Sequence, residues 1–202
     1  MKTIPILIFL LTFVMSLNQA DAQQSGSRSN QDSIVQRDDN YIQYVNGLAG
    51  HVDQYVSTYI KIAGHKKLIP NPDFEYWPDS IEETLSLVRY NKEPVEYAET
   101  PLVLPKGTNL EYDNYFYKGK ILAYRVFEVV TNSDCAGGSL TNTMIAYYDS
   151  SGKNIKILHT MFGSDNQVID PSRCPVLNDF SHLYKSYSET PLAKEGVEKR
   201  GK

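Results

Sequence analysis

The chain has 202 residues, of which 24 are acidic and 20 are basic, so its formal net charge is −4. This balance argues against a nucleic-acid-binding protein, which would carry a basic patch, and we expect no nucleic-acid partner. Apolar residues make up 41% of the chain and charged residues 22%, which is ordinary for a globular domain. Two cysteines are too few for a disulfide-rich scaffold or for a zinc site made of cysteine alone.

The first segment has the layout of a secretory signal peptide. Lys2 precedes a mostly apolar run from Ile4 to Leu17, and Ala20 and Ala22 provide the small residues of a cleavage site before Gln23. A membrane anchor is the alternative, but the run is shorter than the ~20 residues that a spanning helix needs. We therefore expect residues 1–22 to be removed, leaving a secreted or periplasmic protein without a transmembrane segment.

Export determines how the two cysteines are interpreted. In an oxidising compartment, Cys135 and Cys174 most simply form a disulfide bond.

The ends of the mature chain differ in composition from its middle. Residues 23–32 are polar and predict a disordered linker, and the charged residues 189–202 predict a flexible tail. We expect one domain over residues 33–188.

The first third of this domain has a helical pattern. Seven apolar or tyrosine residues recur at steps of three and four, which places them on one side of a helix. The helix is interpreted as packing on a sheet rather than as a coiled-coil seam, and Gly50 predicts a kink or break in it. The seven are Tyr41, Val45, Leu48, Val52, Tyr55, Tyr59 and Ile62.

A second, shorter helix is predicted from Ser80 to about Tyr90. Ser80 and Glu83 form a capping-box pattern, and Glu83 is interpreted as a negative charge that favours the first turn of this helix.

The pattern changes to strands from Pro94 onward. Four runs are rich in alternating, β-branched or aromatic residues, and turn residues separate them. Helices followed by an antiparallel meander predict an α+β fold, in finer detail a cystatin-like or nuclear-transport-factor-like cone. The runs are 110–117, 121–131, 141–148 and 154–162.

Tyrosine is the most distinctive residue type, with 15 tyrosines against seven phenylalanines and one tryptophan. Tyrosine offers flat apolar area with a polar tip, which suits a binding surface, although it also fills half-buried sheet faces. We predict a non-enzymatic module that binds a protein, peptide or glycan through a tyrosine-rich sheet face. The candidate ligand-binding residues are Tyr115, Tyr117, Tyr124 and Tyr147.

Strand alternation refines this hypothesis. Tyr115 and Tyr117 share a face with Glu111 and Asp113, so we expect both tyrosines to face solvent. Tyr112 points the other way and should be buried.

An enzyme is the alternative class. The sequence contains no nucleophile elbow, phosphate loop or dinucleotide fingerprint, and no cofactor or metal ligand set is predicted from it. A cofactor-free hydrolase would need only carboxylates and a histidine in a pocket. A deep pocket with a carboxylate beside His159 would favour this alternative, whereas an open tyrosine-lined face would favour binding.

Overall fold

The computed structural model describes residues 30–71, 78–164, 166–170 and 172–196. The chain divides into two compact units, residues 1–37 and residues 38–202. The described part of the first unit, 30–37, is helical. The signal peptide predicted at 1–22 lies outside the described residues, as does most of the predicted linker. No helix within the described ranges is both long and apolar enough to cross a membrane.

An eight-stranded antiparallel sheet forms the centre of the second unit. Its strand order is β2-β1-β3-β4-β5-β6-β7-β8, so all strands from β3 onward pair with their neighbours in the chain. Each long strand after β1 carries the alternating or β-branched pattern of a pleated surface. The strands are β1 Val56–Ile62, β2 Ile69–Pro70, β3 Ile81–Tyr90, β4 Glu93–Pro101, β5 Thr108–Tyr117, β6 Lys120–Ser133, β7 Gly138–Tyr148 and β8 Asn154–Gly163.

Helix α1, residues 30–49, covers one face of this sheet with its residues from Asp38 onward. Ile42, Val45 and Leu48 are buried at helical spacing, and the Tyr115 hydroxyl on β5 donates to Asn46 Oδ1 at 3.2 Å. The helix ends just before Gly50, which confirms the predicted break. A single turn, α2 (Val52–Tyr55), leads into β1.

The C-terminal segment covers the opposite face. Leu177, Leu183 and Tyr184 pack against a core of side chains from β1 and from β3 to β7. Helix α3 (Pro191–Glu195) adds Leu192, which is only 1% exposed. Helix α3 therefore lies within residues 189–202, the stretch predicted as a flexible tail, and the domain boundary at residue 188 stays a prediction.

Two helix predictions were wrong. The second half of the long predicted helix is strand β1, and the short helix predicted after Ser80 is strand β3. β1 and β3 pair with each other over seven residue pairs, from Val56↔Val88 to Ile62↔Ile81. Because both faces of the sheet are covered at β1 and β3, apolar residues on both sides of these strands are buried. This tertiary burial outweighs the helical spacing and the capping-box pattern that had predicted helices.

The coarse fold prediction is confirmed. A mainly β domain with an N-terminal helix on its sheet is compatible with an α+β fold, and all four predicted strand runs are strands. The cone-shaped subtype stays a prediction.

The predicted disulfide is confirmed. Cys135 and Cys174 are bonded, with their Cα atoms 5.3 Å apart and 39 residues apart in sequence. Their bond lies in a small apolar cluster with Leu140, Met161 and Ile169. It ties the β6–β7 connection to the segment that follows β8, and it is compatible with an extracellular or periplasmic location.

Reducing this bond should destabilise the fold by ~4 kcal/mol, because a loop of this length restricts the unfolded chain. Thermal melting with and without a phosphine reductant measures the effect. A Cys135→Ser, Cys174→Ser double variant should melt like the reduced wild type and ignore the reductant. An identical melting temperature for the oxidised and reduced wild-type protein would contradict the expected contribution.

Candidate functional site

The structure places three of the four candidate ligand-binding tyrosines in the interior. Tyr115 and Tyr124 are fully buried and Tyr147 is 1% exposed, whereas Tyr117 is 53% exposed. The expected exposure was therefore wrong for Tyr115 and confirmed for Tyr117. Tyr112 is buried at 4% exposure, as predicted. A ligand-binding role for the four residues stays a prediction, but they do not form one open face.

Asp113 explains why Tyr115 is buried. The charged residues on the same face of β5 as Tyr115 predicted that this face is exposed to solvent. Asp113 is nevertheless only 1% exposed and accepts a 2.6 Å hydrogen bond from Arg125 Nε. Arg125 also donates to Glu111 at 2.9 Å. Because Asp113 is paired with Arg125, this face of the sheet can be covered by helix α1. Tyr115 lies on the same face and is buried beneath the helix.

Exposed tyrosines gather instead at one end of the sheet. Tyr44 meets Tyr90 edge-to-face with ring centroids 5.6 Å apart, and Tyr41 meets Tyr117 in the same way at 5.8 Å. We call Tyr41, Tyr44, Tyr90 and Tyr117 the tyrosine patch. Tyr41 is anchored because its hydroxyl donates to the carbonyl of Phe116 at 2.7 Å.

Two tight turns position the patch. The β3–β4 turn at Asn91 and Lys92 and the β5–β6 turn at Lys118 and Gly119 have positive φ at both central residues, from 52° to 75°. Such turns hold a two-residue hairpin rigidly and match the twist of the flanking strands. Tyr90 and Tyr117 immediately precede them, and the Lys118 ammonium lies 5.3 Å from the centre of the Tyr117 ring.

A second cluster, of carboxylates and an imidazole, lies on the face covered by the C-terminal segment. Leu85 on β3 is directly opposite Glu99 on β4, so Glu83 and Glu99 are diagonal neighbours on one face. His182 reaches them from the C-terminal segment. One potential ligand atom of each of these three side chains lies within 4.8 Å of the others. We call Glu83, Glu99 and His182 the carboxylate–imidazole cluster.

Glu99 is held by hydrogen bonds at both carboxylate oxygens. Its Oε1 accepts from the hydroxyls of Tyr97 at 2.6 Å and Tyr184 at 2.9 Å, and its Oε2 contacts His182 Nδ1. The side chain of Glu99 is only 2% exposed. A buried carboxylate whose two oxygens are both engaged in hydrogen bonds has a fixed orientation.

The segment that carries His182 is fixed to the sheet by Asn114. This buried amide donates to the His182 carbonyl at 3.0 Å and accepts from the Tyr184 amide at 2.9 Å. The Tyr112 ring stacks on the imidazole with centroids 4.1 Å apart, and its hydroxyl donates to Asp179 at 2.6 Å. The imidazole is thereby held in place next to Glu99.

The electrostatics of the cluster reflect its partial burial. Burial, and then the charge of Glu99, raise the pKa of Glu83. The hydrogen bond to Glu99 raises the pKa of His182. Lys61 Nζ lies 3.7 Å from Glu83, which also lines a cavity of about 130 Å³ together with Lys66 and Leu85.

The cluster differs from the carboxylate and histidine pocket proposed for an enzyme. That hypothesis centred on His159, whose Nδ1 is buried and has no hydrogen-bond partner among the described residues. The sequence interpretation also placed Glu83 at a helix start and gave His182 no role. Glu99 and His182 are separated by 83 residues, so no local motif could have joined them; only the correct pairing of β3 with β4 would have placed Glu83 beside Glu99.

Comparison with known proteins identifies no relative of the chain. No protein-family model, no curated protein and no solved structure matches the chain.

Proposed function

We propose that this chain is an exported binding protein that recognises a glycan through the tyrosine patch. One observation carries the proposal: Tyr44, Tyr90 and Tyr117 remain 46, 39 and 53% exposed, although eight other tyrosines of the described chain are buried. Export is supported by the signal-like segment and the disulfide bond. Exposed aromatic rings held by rigid turns provide contact area at low entropic cost.

The chemistry of the patch favours a polyhydroxylated ligand over a protein partner. The exposed large aliphatic side chains of the described residues, such as Val103 and Val168, are not in helix α1 or in the two turns that build the patch. Tyrosine is enriched at protein interfaces as well, but among the described residues the patch has no exposed aliphatic side chains beside its rings to complete an apolar centre. Tyrosine rings can instead pack against the C–H faces of a sugar while phenols and the nearby Lys92 and Lys118 bind its hydroxyls.

The hydroxyl of Tyr44 takes part in a hydrogen bond with Tyr90, and this bond raises the pKa of Tyr44 to about 12. Like an unperturbed tyrosine, the phenol keeps its proton at physiological pH and can act as a neutral hydrogen-bonding group.

A glycan array probed with the purified chain tests the proposal, followed by titration with the glycan that binds. Tyr44→Ala and Tyr117→Ala should each weaken binding about tenfold, which is the usual effect of removing an aromatic anchor. Both variants should remain folded because these rings are exposed.

Val103→Ala is the matched control. Val103 is 75% exposed and lies in the β4–β5 connection, at the opposite end of the strands from the patch, so its loss should leave binding unchanged. The proposal fails if the wild-type chain retains no glycan, or if both tyrosine variants bind as well as the wild type.

A further inference from the structure

The carboxylate–imidazole cluster has more polar groups than a structural role requires. Glu99 alone would satisfy His182 and the hydroxyls of Tyr97 and Tyr184, yet Glu83 is brought close as a second carboxylate with only 14% of its side chain exposed. Two partly buried carboxylates repel each other, and apolar residues would serve stability equally well. Lys61, 3.7 Å from Glu83, offsets part of this repulsion, and a dication between the two carboxylates would offset it more fully.

We propose that Glu83, Glu99 and His182 bind a divalent transition-metal ion, with zinc as the best fit. Two carboxylate oxygens and one imidazole nitrogen are a mixed donor set, whereas calcium and magnesium prefer oxygen alone. Three protein ligands also leave a coordination position for water or an exogenous ligand. This site is separate from the tyrosine patch and does not depend on it.

The surroundings of Glu99 match those of a metal ligand. Its Oε1 is occupied by the two tyrosine hydroxyls, which leaves Oε2 directed toward His182. Outer hydrogen bonds of this kind orient ligating carboxylates and tune their affinity. Tetrahedral zinc would hold its ligand atoms roughly 3.4 Å apart, so zinc binding would replace the hydrogen bond between His182 and Glu99 with one bond from each side chain to the metal.

Two of the three side chains of the cluster are accessible to an ion. Glu83 lines the cavity of about 130 Å³, and the side chain of His182 is 30% exposed. Lys61, which lies 3.7 Å from Glu83, is 48% exposed and also lies 3.8 Å from Glu82. Lys61 can turn away into solvent when a metal takes its place.

The experiment uses the full chain, stripped with EDTA and returned to chelator-free buffer. Titration with zinc chloride in a calorimeter should show one ion per chain with a Kd of about 1 μM or tighter. Zinc should bind more tightly than manganese, and magnesium should bind weakest.

Matched variants identify the ligands. Glu83→Gln and His182→Gln should each weaken zinc binding at least about tenfold, and Tyr97→Phe should weaken it by about the same factor through Glu99. Glu82→Gln and His51→Gln, which alter the adjacent glutamate and an exposed histidine, should bind zinc like the wild type. Lys61→Met should strengthen binding a few-fold, because it removes a competing positive charge.

A spectroscopic measurement on the wild type keeps the test independent of how the variants fold. Copper(II)-loaded protein should show the electron spin echo modulation that comes from the remote ring nitrogen of a coordinated imidazole. Absence of that signal overturns the proposal. So does the absence of saturable zinc binding, equal zinc affinity in Glu83→Gln, His182→Gln and wild type, or preferred binding of calcium that His182→Gln leaves unchanged.

Discussion

Replacing Tyr115 with Ala should destabilise the protein by about 3–5 kcal/mol, the usual cost of removing a buried aromatic side chain. The ring is completely buried between the sheet and helix α1, and its hydroxyl donates to Asn46. The guanidinium carbon of Arg125 lies 6.0 Å from the ring centroid. Loss of the ring therefore leaves a cavity and also disturbs the ion pair with Asp113.

Tyr117→Ala is the matched comparison, two residues along the same strand. Removing its exposed ring loses the edge contact with Tyr41 and the contact with the Lys118 ammonium, so the free energy of unfolding should fall by about 1 kcal/mol or less. Urea denaturation followed by circular dichroism measures both variants. Equal losses for Tyr115→Ala and Tyr117→Ala would contradict the assignment of one tyrosine to the core and the other to the surface.

The stability of the protein should increase as the pH falls from about 7 to 5. Glu96 on β4 is 6% exposed, its Oε2 has no hydrogen-bond partner among the described residues, and burial raises its pKa to about 7. The nearby Arg125 is engaged by Asp113 and Glu111. Burial raises the pKa of Asp113 as well, which acts in the same direction.

The direction of this pH dependence follows from the numbers of protons that the folded and the unfolded states bind. Between the unfolded pKa near 4.5 and the folded pKa near 7, folded Glu96 keeps a proton that the unfolded chain has lost. The stability of the protein therefore decreases as the pH rises through this window, by an amount on the order of 2 kcal/mol. The contribution of protonated Glu96 is fully present below the window.

Glu96→Gln isolates this contribution. The variant should unfold at a higher urea concentration than the wild type at pH 8 and at nearly the same concentration at pH 5. Glu93→Gln, an exposed change on the same strand, should follow the wild type at both pH values. A Glu96→Gln variant that is less stable than the wild type at pH 8 would show that Glu96 is held as a favourable carboxylate.

Much of the sheet could be predicted from the sequence, because strands β5 to β8 have clear alternation and turn residues. β1 and β3 could not, since both are covered on two faces and their apolar spacing imitates a helix. The disulfide was predictable from two cysteines and an export signal pattern. The C-terminal cover was missed because α3 (Pro191–Glu195) is a short helix with one buried apolar side chain, Leu192, in a charged segment.

The sites were harder to predict than the strands. Alternation correctly separated Tyr112 from Tyr115, but it cannot show that both faces are covered. Tyr117 alone of the four candidates remained exposed, and its ring partner Tyr41 comes from the helix. The cluster of Glu83, Glu99 and His182 depends on strand pairing and on where the C-terminal segment crosses the sheet, which local patterns do not encode.

Hydroxyl-radical footprinting, read by mass spectrometry for each tyrosine with and without the array-selected glycan, tests the binding site most directly. We expect rapid oxidation of Tyr44, Tyr90 and Tyr117 in the free protein, protection of these three residues by the glycan, and little oxidation of Tyr115 and Tyr124 in either state. Oxidation of Tyr115 at the rate of Tyr117, or a bound glycan that protects none of the three exposed tyrosines, would contradict the tyrosine patch as the binding surface.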